Sequence, residues 1–294
     1  MTSRTWDTFQ RIISALIALP VYFFLIFFDQ YYTLGILLIS LAVTLSCLYE
    51  FYQIASSKGG GTPFVIPGLA AGFVINVIIY MFSFGRVYGF ERYLAIFDVR
   101  IVLAVFVFLG VIISALHIVI RPLSDGIFSL ATTMFGIIFI VLPFSHIILM
   151  KALPDGIYYI FILHLVIMFN DTFAYFGGVF FGTHKTGFPV SPNKSWEGYF
   201  SGMLFSTVVI IVANEAFQIF FDRHLFSLPE AILLGMLLSL LGNIGDLVES
   251  AIKRDADIKD SGRIIPGHGG MWDVFDALIF VFPVFYYYLK LKGV

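Results

Sequence analysis

The chain has 294 residues, 60% of them apolar and only 12% charged, with a formal net charge of −2 and a mean hydropathy of +0.96. Soluble domains carry about 25% charged residues, so this composition excludes a soluble globule. The near-neutral balance gives no global attraction to nucleic acid. Cys47 is the single cysteine, which excludes an intramolecular disulfide and a cysteine metal cluster and reads as a small buried apolar residue.

Runs of roughly 20 apolar residues recur from end to end. They predict an all-α, polytopic integral membrane protein with about nine transmembrane helices, at 9–28, 31–55, 64–84, 98–120, 127–150, 157–181, 199–221, 228–253 and 274–291. Residues 11–28 have the look of a signal peptide, but no A-x-A-like site follows before the next apolar run, so they are read as the first span. Pro20, Pro143 and Pro283 fall inside spans, where neighbouring helices can satisfy the freed backbone groups. Gly59-Gly60-Gly61 is a flexible turn, too short for a phosphate loop. Connections are short except 86–97, 182–198 and 254–273. Residues 1–156 are expected to hold about five structural, lipid-facing spans, and 157–294 a catalytic region with cytoplasmic loops 182–198 and 254–273. With a cytoplasmic N-terminus, ten Lys and Arg fall on that side against seven on the other, a bias in the direction of the positive-inside rule. Both polar loops then face the cytoplasm.

The sixth span carries Asn170, Asp171, Thr172 and Tyr175 and meets Gly177-Gly178 near its end. An isolated charge at the centre of a membrane helix costs at least about 2.5–3.5 kcal/mol, so Asp171 is expected to have a partner or a bound ion. In the following loop, Ser195 reads as a helix N-cap, and Lys194 and Glu197 at the membrane rim are functional candidates.

The eighth span ends in GDLVESAIKR. Asn243, Asp246, Ser250 and Lys253 are spaced to share one face, with Glu249 beside them. A structural alternative is that Asp246 and Lys253 merely pair, which leaves Asn243, Glu249 and Ser250 unexplained. From Asn243 to Asp276 the chain holds about a third of its Asp, Glu, Lys and Arg in about a ninth of its length. Within that stretch Lys253, Arg254, Lys259 and Arg263 form a basic cluster. Such a cluster beside a membrane can simply touch lipid headgroups; bracketed by acids, it reads as a polyphosphate clamp. Gly267, Gly269 and Gly270 around His268 would let backbone N–H groups approach phosphate oxygens, with His268 as a phosphate contact. Asp273 and Asp276 open the last helix, where carboxylates also favour a helix start. Oxygen ligands from Asp246 and Asp273 suit a hard cation such as Mg²⁺.

These motifs resemble the phosphatidate cytidylyltransferase family, also called CDP-diacylglycerol synthases. Its C-terminal signature is matched by Ser250-Ala-Ile-Lys253-Arg254, Lys259-Asp260-Ser261-Gly262, Pro266-Gly267-His268-Gly269-Gly270 and Asp273-Val274-Phe275-Asp276. The upstream D-T-x-A-Y-x-x-G-x-x-x-G and S-P-x-K-[ST]-x-E-G patterns are matched from Asp171 to Gly182 and from Ser191 to Gly198. The motifs cover 171–276, and the N-terminal half resembles the family only in being apolar. Val274 stands where the family pattern has Arg.

The resemblance implies transfer of the cytidylyl group of CTP to phosphatidic acid, giving CDP-diacylglycerol and pyrophosphate for phospholipid biosynthesis. It implies metal binding at Asp246 and Asp273, with Asp276 as a further ligand or an orienting residue. Ser250, Lys253, Arg254, Lys259, Arg263 and His268 would hold phosphates, Lys253 within the catalytic set. Lys194, Ser195 and Glu197 would complete the nucleotide side and Asp171 the substrate site. The expected partners are CTP, phosphatidic acid and membrane lipid, with no nucleic acid. Mg²⁺ is the expected cofactor, and a second, monovalent cation such as K⁺ and a homodimer stay open. The expected location is the bacterial inner membrane, with the site facing the cytoplasm. The rival reading is an ion-coupled transporter using Asp171 and Asp246, since intramembrane acids and broken helices mark such proteins.

Overall fold

The computed structural model describes residues 3–28, 30–59, 61–85, 87–89, 99–120 and 123–294. The regular structure among them is helical, apart from isolated bridges between Lys185 and Ser195 and between Ile265 and Gly269. The helices are α1 (Ser3–Phe27), α2 (Gln30–Ser57), α3 (Val65–Phe84), α4 (Val99–Ile120), α5 (Gly126–Gly136), α6 (Leu142–Lys151), α7 (Gly156–Phe181), α8 (Trp196–Phe221), α9 (Leu228–Asp255) and α10 (Trp272–Lys292). A π-helical turn, Ile137–Val141, joins α5 to α6 in one continuous segment. Among the described residues eight segments are long and apolar enough to cross a membrane: α2, α3, α4, the α5–α6 segment and α7 to α10. The expected first span, 9–28, falls on α1, whose apolar stretch is Leu16–Phe27. The architecture is therefore the all-α, polytopic membrane fold that hydropathy predicts. Most of the loop expected at 86–97, with Arg86 and Arg92, lies outside the described residues, as do Arg121 and the side chains of Arg4, Arg11 and Arg100.

The chain forms two compact units. The first comprises Met1–Pro154 and Asp255–Phe275, the second Asp155–Arg254 and Asp276–Val294.

In the first unit, α2, α3 and the α5–α6 segment pack through small and hydroxylated side chains. A Cβ on Gly136 would lie 2.7 Å from Leu48 Cδ1 and 2.9 Å from Tyr52 Cε1, so glycine is what lets α5 approach α2. Buried Ser40, Asn76 and Tyr52 are each paired, which offsets the cost of their burial: Ser40 Oγ donates to Asn76 Oδ1 (2.5 Å), Asn76 Nδ2 to Gly72 O (2.9 Å), and the Tyr52 hydroxyl to Thr133 O (2.8 Å). The π turn precedes Pro143, which has no N–H to donate; there Leu142 N–H bonds Ile137 O, five residues back.

In the second unit, α7 and α8 come together at backbone distance. Gly177 faces Ser201, a Cβ on Gly198 would lie 2.7 Å from Ala174 O, and one on Gly202 2.8 Å from Asn170 O. On α9, Gly245 does the same for the last helix, where a Cβ would lie 2.9 Å from Asp276 O and 3.1 Å from Ala277 Cα. The α8–α9 turn is closed by buried Asn214, whose Oδ1 accepts Leu225 N and Phe226 N, each at 2.9 Å.

Candidate active site

In the second unit, the loop before α8 is folded onto the helix it introduces. Ser195 Oγ caps α8 by accepting Gly198 N (3.2 Å), with its backbone extended as a cap requires. Glu197, in the first turn, turns back and accepts Thr183 Oγ1 (2.8 Å) and His184 N (3.1 Å). Thr186 N donates to Lys194 O at 3.0 Å and Trp196 N to His184 O at 3.0 Å. These bonds fix the backbone from which the Lys194 side chain extends.

Lys194 Nζ forms an ion pair with Asp246 Oδ2 on α9. It also lies 5.5 Å from the centre of the Tyr199 ring. Burial alone would lower the Lys194 pKa, but the Asp246 carboxylate more than offsets this, and the pKa ends above the ordinary lysine value. The pair borders a cavity of about 580 Å³ whose wall includes Asp171, Tyr175, Lys185, Tyr199, Asn243 and Asp246. Buried Asn170 joins the helices behind that wall. Its Nδ2 lies 3.1 Å from Asp171 Oδ1 and 3.2 Å from Asn243 Oδ1, and its Oδ1 accepts Ser239 Oγ at 2.6 Å. Asp171 thus has a hydrogen-bond donor in the neighbouring amide.

Asp246 also faces a second group of acids. One carboxylate oxygen from each of Asp246, Glu249 and Asp276 lies within 4.8 Å of the other two. Close approach of α9 and α10 at Gly245 brings Asp276 to the pair on α9. Ser250 Oγ donates to Asp246 Oδ1 (3.3 Å), and Lys253 Nζ pairs with Glu249 Oε2 at 2.7 Å, both ends of that pair being buried. Three oxygen donors fit a hard divalent cation by the chemistry of the set.

In the first unit, the segment after α9 is organised around two carboxylates. Asp273 Oδ2 accepts Ser261 N (2.8 Å), Ser261 Oγ (3.0 Å) and Gly270 N (2.7 Å). Glu50, on α2 and only 3% exposed, accepts Ser261 Oγ (2.9 Å), Met271 N (2.8 Å) and Trp272 N (2.8 Å). His268 Nδ1 lies 3.1 Å from Ser14 Oγ of α1, which also donates to Pro266 O at 2.9 Å. Arg254, Lys259, Arg263 and His268 are exposed. Val274 is 41% exposed on the first turn of α10.

Of the residues singled out from sequence, Asp171, Lys194, Ser195, Glu197, Asp246, Ser250, Lys253, Arg254 and Asp276 belong to the second unit, and Lys259, Arg263, His268 and Asp273 to the first. Within the second unit the structure gathers Asp246 with Lys194, Ser250 and Asp276. Two acids outside the ligand and binding sets read from sequence also stand out, Glu249 in the second unit and, separately, Glu50 in the first. Glu249 was legible as the i+3 neighbour of Asp246. Glu50 was legible as an acid inside an apolar run, the same signal that singled out Asp171.

Residues 9–292 match the family described as the cytidylyltransferase family. Among curated proteins, the chain is similar to a phosphatidate cytidylyltransferase of Staphylococcus epidermidis, 44% identical over 130 residues, which is 44% of this chain and 48% of that protein. It is similar to that of Staphylococcus saprophyticus at 41% over 136 residues (46% and 50%) and that of Staphylococcus aureus at 44% over 132 residues (44% and 48%). The chain spans about half the length of the curated relatives it matches. A family of transferases lends nothing to the transporter reading.

Proposed function

The chain belongs to the cytidylyltransferase family, and from that premise we propose that it transfers the cytidylyl group of CTP to phosphatidic acid. A phosphate oxygen of the lipid attacks the α-phosphorus of CTP. The bond from that phosphorus to the bridging oxygen breaks, and pyrophosphate leaves with the electron pair. CDP-diacylglycerol is the product. The observation that carries this reading is the double position of Asp246, one of three converging carboxylates and at the same time part of the cavity wall beside Lys194.

Phosphoryl and nucleotidyl transfers need charge neutralisation and positioning more than covalent help from the protein. Asp246, Glu249 and Asp276 would hold a divalent ion, which we take to be Mg²⁺, and the ion would supply positive charge against the phosphates. Lys194 is held in its charged form and reaches the cavity from a bonded loop, so it suits a phosphate of CTP. Ser250 orients Asp246, and Lys253 offsets the charge of Glu249. Lys259, Arg263 and His268 are assigned, on the motif they share with the family, to the nucleotide side; Asp273, which that motif offers as a metal ligand, accepts Ser261 N, Ser261 Oγ and Gly270 N, and we assign it to holding its own segment. Acyl chains need no enclosed pocket in a protein whose helices stand in lipid. We place the protein in the bacterial inner membrane with the site open to the cytoplasm, where CTP is available.

Purified protein in lipid nanodiscs, given labelled CTP, phosphatidate and Mg²⁺, is expected to form CDP-diacylglycerol and pyrophosphate in equal amounts. Formation of neither product in the complete mixture would remove this assignment.

A further inference from the structure

The proposed chemistry leaves Glu50 without a role, although the span that carries it is otherwise apolar around it. A buried carboxylate in such a place is costly unless it is hydrogen-bonded. Here it accepts three bonds, and all three come from the segment that runs into α10: Ser261 Oγ, Met271 N and Trp272 N. Met271 and Trp272 stand at the start of α10, where backbone N–H groups have no partner within the helix and the helix dipole favours a negative charge. Glu50 therefore caps α10 from a helix more than two hundred positions earlier in the sequence.

The space around the carboxylate is built for it. A Cβ on Gly262 would lie 2.5 Å from Glu50 Oε1, and one on Gly270 would meet Ser261 Oγ and lie 2.5 Å from Glu50 Oε2. A Cβ on Gly269, whose φ is +100°, would lie 2.5 Å from Asp273 Oδ2. Two of the glycines that the sequence offers to phosphate, Gly269 and Gly270, thus make room for carboxylates of the protein itself. Ser261 Oγ lies within hydrogen-bonding distance of both Glu50 and Asp273. The two acids grip the segment from Ser261 to Trp272 at both ends, and that segment carries Arg263 and His268.

We infer that Glu50 is a positioning residue for nucleotide binding, holding the Ser261–Trp272 segment in the conformation that presents Arg263 and His268. Its catalytic consequence rests on the function proposed above, while its structural consequence does not. Glu50→Gln keeps the shape but sets an amide N–H group against backbone donors. In nanodiscs, Glu50→Gln is expected to speed tryptic cleavage after Lys259 and Arg263 at least tenfold, while cleavage after Lys185 and Lys194 changes less than twofold. The same variant should raise KM for CTP at least fivefold and leave KM for phosphatidate within twofold, a split that a smaller folded fraction would not produce. Ser261→Ala removes the hydroxyl that the two acids share and should shift both readouts in the same direction by a smaller factor, so the test survives poor folding of Glu50→Gln. Unchanged cleavage after Arg263, equal acceleration in both loops, or an unchanged KM for CTP would overturn the inference. If the wild type forms no CDP-diacylglycerol, the cleavage comparison alone decides it: selective loosening upholds the hold on the segment, and its absence ends it.

Discussion

Asp246 is used from several sides at the level of single atoms, pairing with Lys194 through Oδ2, accepting Ser250 through Oδ1 and facing Glu249 and Asp276. Asp246→Asn keeps its volume and removes its charge. Loss of one preorganised electrostatic contact at a reacting phosphate typically costs a factor of about 10²–10³ in kcat, so at least a hundredfold fall in CDP-diacylglycerol formation is expected, with the variant still monodisperse in detergent. A rate within tenfold of wild type would detach Asp246 from the chemistry. Lys194 allows a prediction in pH. Its folded pKa lies above the ordinary value of 10.5, so the stability its pairing adds is fully present below that value and is lost only as pH rises through the folded pKa, and the side chain stays charged from pH 6 to 9. Lys194→Met is therefore expected to lower kcat/KM by a constant factor from pH 6 to 9, and a loss confined to one end of that range would contradict it. Residues of this kind were readable because an acid or base in an apolar context is costly and stands out. From sequence Glu249 reads as a neighbour on that helix face and not as a ligand, since its convergence with Asp276 depends on two helices meeting.

That meeting is decided by glycines. Gly245 gives α9 no side chain where Asp276 O and Ala277 Cα lie, and those are main-chain atoms that cannot rotate aside. Gly245→Val is expected to destabilise the protein by about 1–3 kcal/mol, the usual range for overpacking, and to raise the Mg²⁺ concentration needed for half-maximal activity. Gly110→Ala is the control, since its Cβ would have only Met134 Cε at 3.9 Å, and its thermal midpoint should not fall. Comparable destabilisation by both would show that the contact at Gly245 is not the cause. Helix positions were legible from hydropathy alone: the spans expected at 64–84 and 157–181 correspond to Val65–Phe84 and Gly156–Phe181. The π turn at Ile137–Val141 was not. Pro143 announces a missing donor, but how the preceding turn adjusts depends on the packing around it.

Across the whole molecule, the expected division at residue 156 describes the order of the motifs along the chain, whereas the compact units are drawn from contacts between distant residues. Glu50 with Ser261 is such a contact, and no local pattern encodes it. A bound ion stabilises the folded state by mass action, about 2.7 kcal/mol at a hundred times its Kd. Mg²⁺ is therefore expected to raise the thermal midpoint of the wild type, EDTA to reverse this, and Asp246→Asn to abolish the response. An equal rise in wild type and variant would place the ion elsewhere.

The path of the chain between the units has a genetic consequence. It crosses at Pro154, at Arg254 and again at Phe275, so the motif-bearing half returns a strand of sequence to the body built by the motif-poor half. Severing the chain after Pro154 would leave a second fragment that still carries the ligands for Glu50 but has lost Glu50 itself. Neither gene fragment is then self-sufficient, and co-expression of the two should restore what each lacks. The half of the chain that carries none of the motifs between Asp171 and Asp276 is in this sense the template on which the motif-bearing half is finished.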